Sequence, residues 1–152
     1  MLITLWAKAT ELKQRNPLLR DEKAAEIISK IDYDFSKFKK AKFSQAGVCV
    51  RASLIDEETR KFIAAHPNAV VIQLGAGLDA RYERLGCPKV THWYDLDLKE
   101  TIDLRRQLIP ETEKKLSFDS RRLFSLKAML ALICAYCASD RLSALPFSIS
   151  SS

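Results

Sequence analysis

Leu2, Leu5, Trp6, Ala9 and Leu12 recur at the spacing of one helical face. They predict an amphipathic helix from the start of the chain to about Asn16-Pro17, because the residue before a proline disfavours helical backbone. Asp21 is placed to cap a second helix whose apolar stripe is Ala24, Ile27, Ile28 and Ile31. "DYDFSKF" (32–38) reads as an aromatic loop. From Ser44 a longer helix carries Val48, Ala52, Ile55, Thr59, Phe62 and Ile63 and stops at His66-Pro67. Three helices therefore precede the first convincing strand.

That strand is Ala69–Leu74, a continuous apolar run of the kind found in strands covered on both faces. Gly75-Ala-Gly77 turns the chain, Leu78–Leu85 begins a short helix, and "GCP" (86–88) ends it. Val90–Asp95 predicts a second strand and Leu98–Ile109 a helix closed by Pro110. Strand, glycine turn, helix, strand and helix open a parallel α/β sheet.

After about Glu113 the pattern changes. Residues 114–152 hold nine serines in 39 positions, against four in the first 113, and no glutamate. Leu123–Ala138 could form an apolar helix, but no further strand–turn–helix unit is legible. Three regions follow: a helical one over 1–66, the first βαβα of a sheet domain over 67–113, and an atypical tail over 114–152.

Composition narrows the classes. A chain of 152 residues with 47 % hydrophobic and 29 % charged content is that of a soluble globular domain. Four scattered cysteines do not make a disulfide framework, no signal-peptide pattern is present, and the longest apolar run falls well short of the ~20 residues of a membrane span. These readings point to the cytoplasm and away from a membrane. The net charge of +6 is concentrated in the last quarter, where six basic residues face two acidic ones. The basic run "KFKKAK" (37–42) reads as a solvated face, and without a recognised motif nucleic-acid binding is not expected.

Gly75-x-Gly77-x-x-Ala80, after a strand and before a helix, satisfies the nucleotide-fold pattern G-x-G-x-x-G/A. Glycine permits the tight turn and lets backbone N–H groups approach a ligand. Asp95 and Asp97 follow Gly77 by 18 and 20 residues, at the end of the second strand, where a carboxylate can accept both hydroxyls of an adenosine ribose. Asp97 equally suits a helix cap, with Glu100 in the first turn. Cys134-x-x-Cys137 lies in an apolar run without a second pair and reads as buried small residues rather than a zinc or redox pair. His66 and His92 have no sequence neighbour that would make a catalytic triad, and no metal site is expected.

"AKATELKQRNPLLRDEKAAEII", "QAGVCVRASLID", "VVIQLGAGLDARYERL" and "WYDLDLKETIDLRRQLIPET" together resemble the leucine carboxyl methyltransferase family, which includes polyketide O-methyltransferases. The resemblance covers residues 2 to about 113. It implies a class I methyltransferase using S-adenosylmethionine (SAM), with helices ahead of a Rossmann-like parallel sheet. It implies that Gly75 and Gly77 form the turn beside SAM, that Asp97 is the ribose ligand with Asp95 adjacent, and that Arg51 in "CVRA" holds the SAM carboxylate. Lys8 is a second basic contact on a looser match. From spacing alone, Arg51 and Lys8 read as a solvated helix face.

No residue is assigned as a catalytic acid or base. The acceptor implied is a small molecule or a protein carboxylate, which needs no base when already ionised, whereas a hydroxyl would. A NAD-type dehydrogenase is the rival enzyme reading of the same turn, and a fragment acting only through a binding partner is the non-enzymatic one. With two strands legible, the chain reads as the N-terminal part of a methyltransferase fold joined to an unrelated tail. By itself it is expected to be poorly soluble or loosely packed and to show no methyl transfer.

Overall fold

The computed structural model describes residues 1–38 and 41–119. Helices α1 (Leu2–Glu11), α2 (Glu22–Ser29) and α3 (Lys42–Ala65) precede strand β1 (Val70–Leu74). Helix α4 (Arg81–Arg84), strand β2 (His92–Asp97), helix α5 (Lys99–Leu108) and strand β3 (Lys115–Asp119) follow. The strands form one parallel sheet in the order β1-β2-β3, with Gln73 opposite Asp95 and Asp95 opposite Ser117. Helices followed by a parallel sheet is the Rossmann-like architecture expected. Among the described residues no helix is long and apolar enough to cross a membrane.

Helices α1 and α2 form for the reasons their patterns gave, whereas on α3 the predicted apolar stripe is buried only at Ala52, with Ile55 42 % and Phe62 52 % exposed. Asp21 caps α2 by accepting the Ala24 N–H at 2.9 Å, and Ala24 and Ile27 bury the apolar face. Helix α1 ends at Glu11, short of Asn16-Pro17, and the Glu11 side chain ties the following segment back to it. Its carboxylate accepts the Leu18 N–H at 2.9 Å and the Gln45 amide at 3.2 Å. The aromatic loop contains a single 3-10 turn, Phe35–Phe38, in which Phe38 packs near the rings of Tyr33 and Trp6.

Three clusters carry the core. Leu5 and Ala9 of α1, Ala24 and Ile27 of α2, Leu78 and Ala80 of the turn, and Ile109 form one, so the helical preface packs directly on the glycine turn. Ala7, Leu19, Cys49 and Ala52 join α1 to α3. There burial pushes the Cys49 thiol up to about 11, with the Glu11 charge adding to the shift. Tyr82, Val90 and Trp93 fill the space between α4 and the sheet, with ring centroids of Tyr82 and Trp93 5.5 Å apart.

Four expectations need correction. The short helix spans Arg81–Arg84 rather than Leu78–Leu85, because residues 75–80 form an extended turn held by contacts from β2 and α5. The second strand runs His92–Asp97 rather than Val90–Asp95, which makes Asp97 its last residue. Among the described residues strand β1 is not covered on both faces, with Val70 37 % and Leu74 72 % exposed, and it pairs only with β2. A third strand, β3, lies where none was expected. Its alternation is inverted, with polar Lys115 and Ser117 buried and Leu116 and Phe118 only partly so. Lys115 tolerates burial because Glu83 accepts its ammonium and the Tyr82 ring lies 5.7 Å beneath it. Leu123–Ala138, with Cys134 and Cys137, lies outside the described residues.

Candidate functional site

A cleft of about 590 Å³ opens over the C-terminal ends of β1 and β2. Its floor is the turn Gly75–Asp79, one wall is α1 with Lys8, and another is α3 with Arg51 and Ile55. Asp97 and Thr101 close the far side. Ligands of open parallel sheets bind in this position, outside the carboxyl ends of the strands.

The turn exists because its backbone is left-handed at two positions. Gly75 has φ +63° and Gly77 φ +53°, values that strain any residue carrying a Cβ. Several backbone groups of the turn then find partners. The Ala76 N–H donates to the Leu96 carbonyl at 3.0 Å, and the Gly77 N–H donates to Asp97 Oδ2 at 2.7 Å. The Gly77 carbonyl accepts from Arg105 at 3.0 Å. Asp97 is not the cap of α5: Leu98 occupies that position, and Asp97 Oδ1 accepts the Leu98 N–H at 2.7 Å. Its carboxylate ties the end of β2 to the turn while still bordering the cleft.

Of the six residues singled out from sequence, Gly75, Gly77, Asp97, Arg51 and Lys8 line this one cleft. Asp95 does not. It is fully buried, accepting the Trp93 indole N–H at 3.0 Å and the Arg105 guanidinium at 2.6 Å. Burial pushes its carboxyl up, and Arg105 pulls it back only in part. The reason is register: Asp95 sits beside Gln73 and Ser117 in the middle of the sheet, two residues short of the rim.

Arg51 and Lys8 differ. Arg51 is exposed on α3 and makes no ion pair among the described residues, so its guanidinium is available to an anion. Lys8 is buried, with Nζ 2.5 Å from Asp79 and 3.9 Å from Asp21. It is not a solvated helix residue but one member of a buried ionic cluster that sequence reading missed.

That cluster balances three cations, Lys8, Arg81 and Arg84, against Asp21, Asp56 and Asp79. Arg84 reaches all three acids, with Asp21 and Asp56 at 2.6 Å and Asp79 at 2.8 Å. Burial acts to raise the Asp79 carboxyl, but Lys8 and Arg84 outweigh it and hold it below the ordinary range. The cluster fastens α1, α2 and α3 to the far end of the glycine turn. Its signal in the sequence was Asp79-Ala-Arg81-x-x-Arg84, with the partners Lys8, Asp21 and Asp56 scattered along the preceding chain.

The leucine carboxyl methyltransferase family model matches residues 1–129, running past residue 113 and through β3. The chain is 41 % identical over 113 residues to the tetracenomycin polyketide synthesis O-methyltransferase TcmP of Streptomyces glaucescens, covering 74 % of this chain and 42 % of that protein. It is 33 % identical over 120 residues to the S-adenosyl-L-methionine-dependent methyltransferase dpfgK of Gibberella zeae, covering 73 % and 40 %. The chain thus spans about two fifths of the length of these curated relatives. A family match over most of its length, with the helical preface, glycine turn and parallel sheet in one order, means that this chain belongs to the leucine carboxyl methyltransferase family.

Proposed function

We propose that this chain is the cofactor-holding part of a SAM-dependent O-methyltransferase acting on a small-molecule or protein-carboxylate acceptor. The observation that carries the reading is the convergence of Gly75, Gly77, Asp97 and Arg51 on one cleft at the carboxyl ends of the strands. SAM presents a ribose diol and an α-carboxylate, and each has a counterpart here. Asp97 accepts hydrogen bonds from the ribose hydroxyls. Arg51, across the cleft, pairs with the carboxylate, where guanidinium geometry suits a bidentate contact. The left-handed glycines keep the backbone close to the ligand without a Cβ in the way. Lys8 borders the same cleft, but its ammonium is committed to Asp79, so it supports the turn rather than offering a free donor.

When bound, SAM supplies an activated methyl group open to in-line displacement. The protein's contribution is then mainly orientation, which in well-aligned systems lowers a barrier by about 7–11 kcal/mol. A carboxylate acceptor needs no base, and none is assigned among the described residues.

Titration calorimetry of the 152-residue chain with SAM, S-adenosylhomocysteine and NAD tests the reading. Saturable heat with the first two and none with NAD is expected. Heat with NAD alone replaces the reading with a dehydrogenase one, and heat with none of the three leaves a partner-binding role.

A further inference from the structure

We infer that Arg105 is a positioning residue for the cofactor turn. The proposal rests on the cofactor reading above and extends it to a side chain outside the cleft. Arg105 lies on α5, is fully buried, and spans two elements with one guanidinium. One terminal nitrogen holds Asp95 Oδ2 at 2.6 Å, and the other donates to the Gly77 carbonyl at 3.0 Å. Asp95 is itself fixed by the Trp93 indole at 3.0 Å. A rigid chain thus runs from the sheet interior through Arg105 to the second glycine of the turn.

The geometry explains why a charged pair sits in the middle of the sheet at all. A buried ion pair is weak evidence for stability, because desolvation offsets most of its Coulomb attraction. Arg105 Nε is moreover buried without a partner among the described residues, a further cost. What the pair secures is the Gly77 carbonyl. With the Gly77 N–H held by Asp97 at 2.7 Å, both faces of this residue's backbone are pinned in the left-handed conformation. Asp95, placed by its motif beside the ribose ligand, acts one layer deeper, through Arg105.

Lysine separates positioning from plain stabilisation. Arg105→Lys keeps the charge opposite Asp95 but replaces the two terminal nitrogens of a rigid planar fork with one compact ammonium, so the fixed span from Asp95 to the Gly77 carbonyl is lost. In the full chain, Arg105→Lys should melt close to wild type. Its Gly77 and Ala76 amides should nevertheless exchange with deuterium about tenfold faster relative to that of Trp93, which is bonded within the sheet. Its affinity for S-adenosylhomocysteine should fall by about tenfold. Asp95→Asn, which releases Arg105 from below, is the second variant and should accelerate the same two amides. Wild-type exchange at Gly77 in whichever of the two variants folds overturns the assignment. If the wild-type chain binds no S-adenosylhomocysteine, the cofactor reading falls, and the exchange rates alone decide the role of Arg105.

Discussion

Asp97 is the residue on which most of the local geometry turns. Its two carboxylate oxygens accept backbone N–H groups from Gly77 and Leu98, each at 2.7 Å, and the same carboxylate borders the cleft. Ionised oxygens can accept further donors, so the turn contacts do not exclude a ribose. Asp97→Ala should therefore weaken SAM binding and also loosen the turn, whereas Arg51→Ala should weaken binding with no change in thermal midpoint, because Arg51 makes no ion pair among the described residues. Loss of a charge-assisted contact is worth about 1.5–3 kcal/mol, roughly ten- to hundredfold in affinity. Calorimetry with S-adenosylhomocysteine measures both variants, and unchanged affinity in both removes the assigned contacts.

Between elements, the ionic cluster is the main joint. Helices α1, α2 and α3 each send a charged residue to α4 and the turn, with Arg84 at the centre. Arg84→Met leaves Asp21, Asp56 and Asp79 without their shared partner and should cost about 3–5 kcal/mol in chemical denaturation. Lys61→Ala, which removes an exposed pair with Glu57 and Glu58, should leave the denaturation curve unchanged. The joint also predicts a pH dependence. The folded-state pKa of Asp79 is depressed, so its stabilisation is complete above the ordinary carboxylate range and is lost as pH falls through the folded value. Thermal midpoints should drop progressively below about pH 4, and more shallowly in Asp79→Asn. An identical acid limb in that variant would remove Asp79 from the account.

At the scale of the molecule, an apolar groove of about 500 Å³ runs between α3 and β1, with Leu54, Phe62 and Val70 exposed along it. Leu74 continues the apolar surface at 72 % exposure. A hydrophobic edge strand of this kind favours association between chains. The 152-residue chain should accordingly show concentration-dependent association in light scattering, and no methyl transfer to added acceptors. A monodisperse monomer at all concentrations, or measurable transfer, would contradict this expectation.

The amino-acid sequence by itself determined the elements whose cause is local. Helical periodicity located α1 to α3, Asp21 announced its cap, and the paired glycines marked the turn because few other residues adopt positive φ there. Order along the chain then pointed to the parallel sheet and the family. Tertiary structure decided whatever depends on partners distant in the chain. It placed Asp97 on the rim and Asp95 in the interior, two positions that motif spacing treats alike, because sheet register sets depth. It turned Lys8 from a surface residue into a buried one, since Asp79 lies 71 positions away. It built β3 from a polar-looking segment, because Glu83 and Tyr82 provide for Lys115 inside the fold. It joined Arg105 to Gly77 across 28 positions, a contact with no local pattern to announce it.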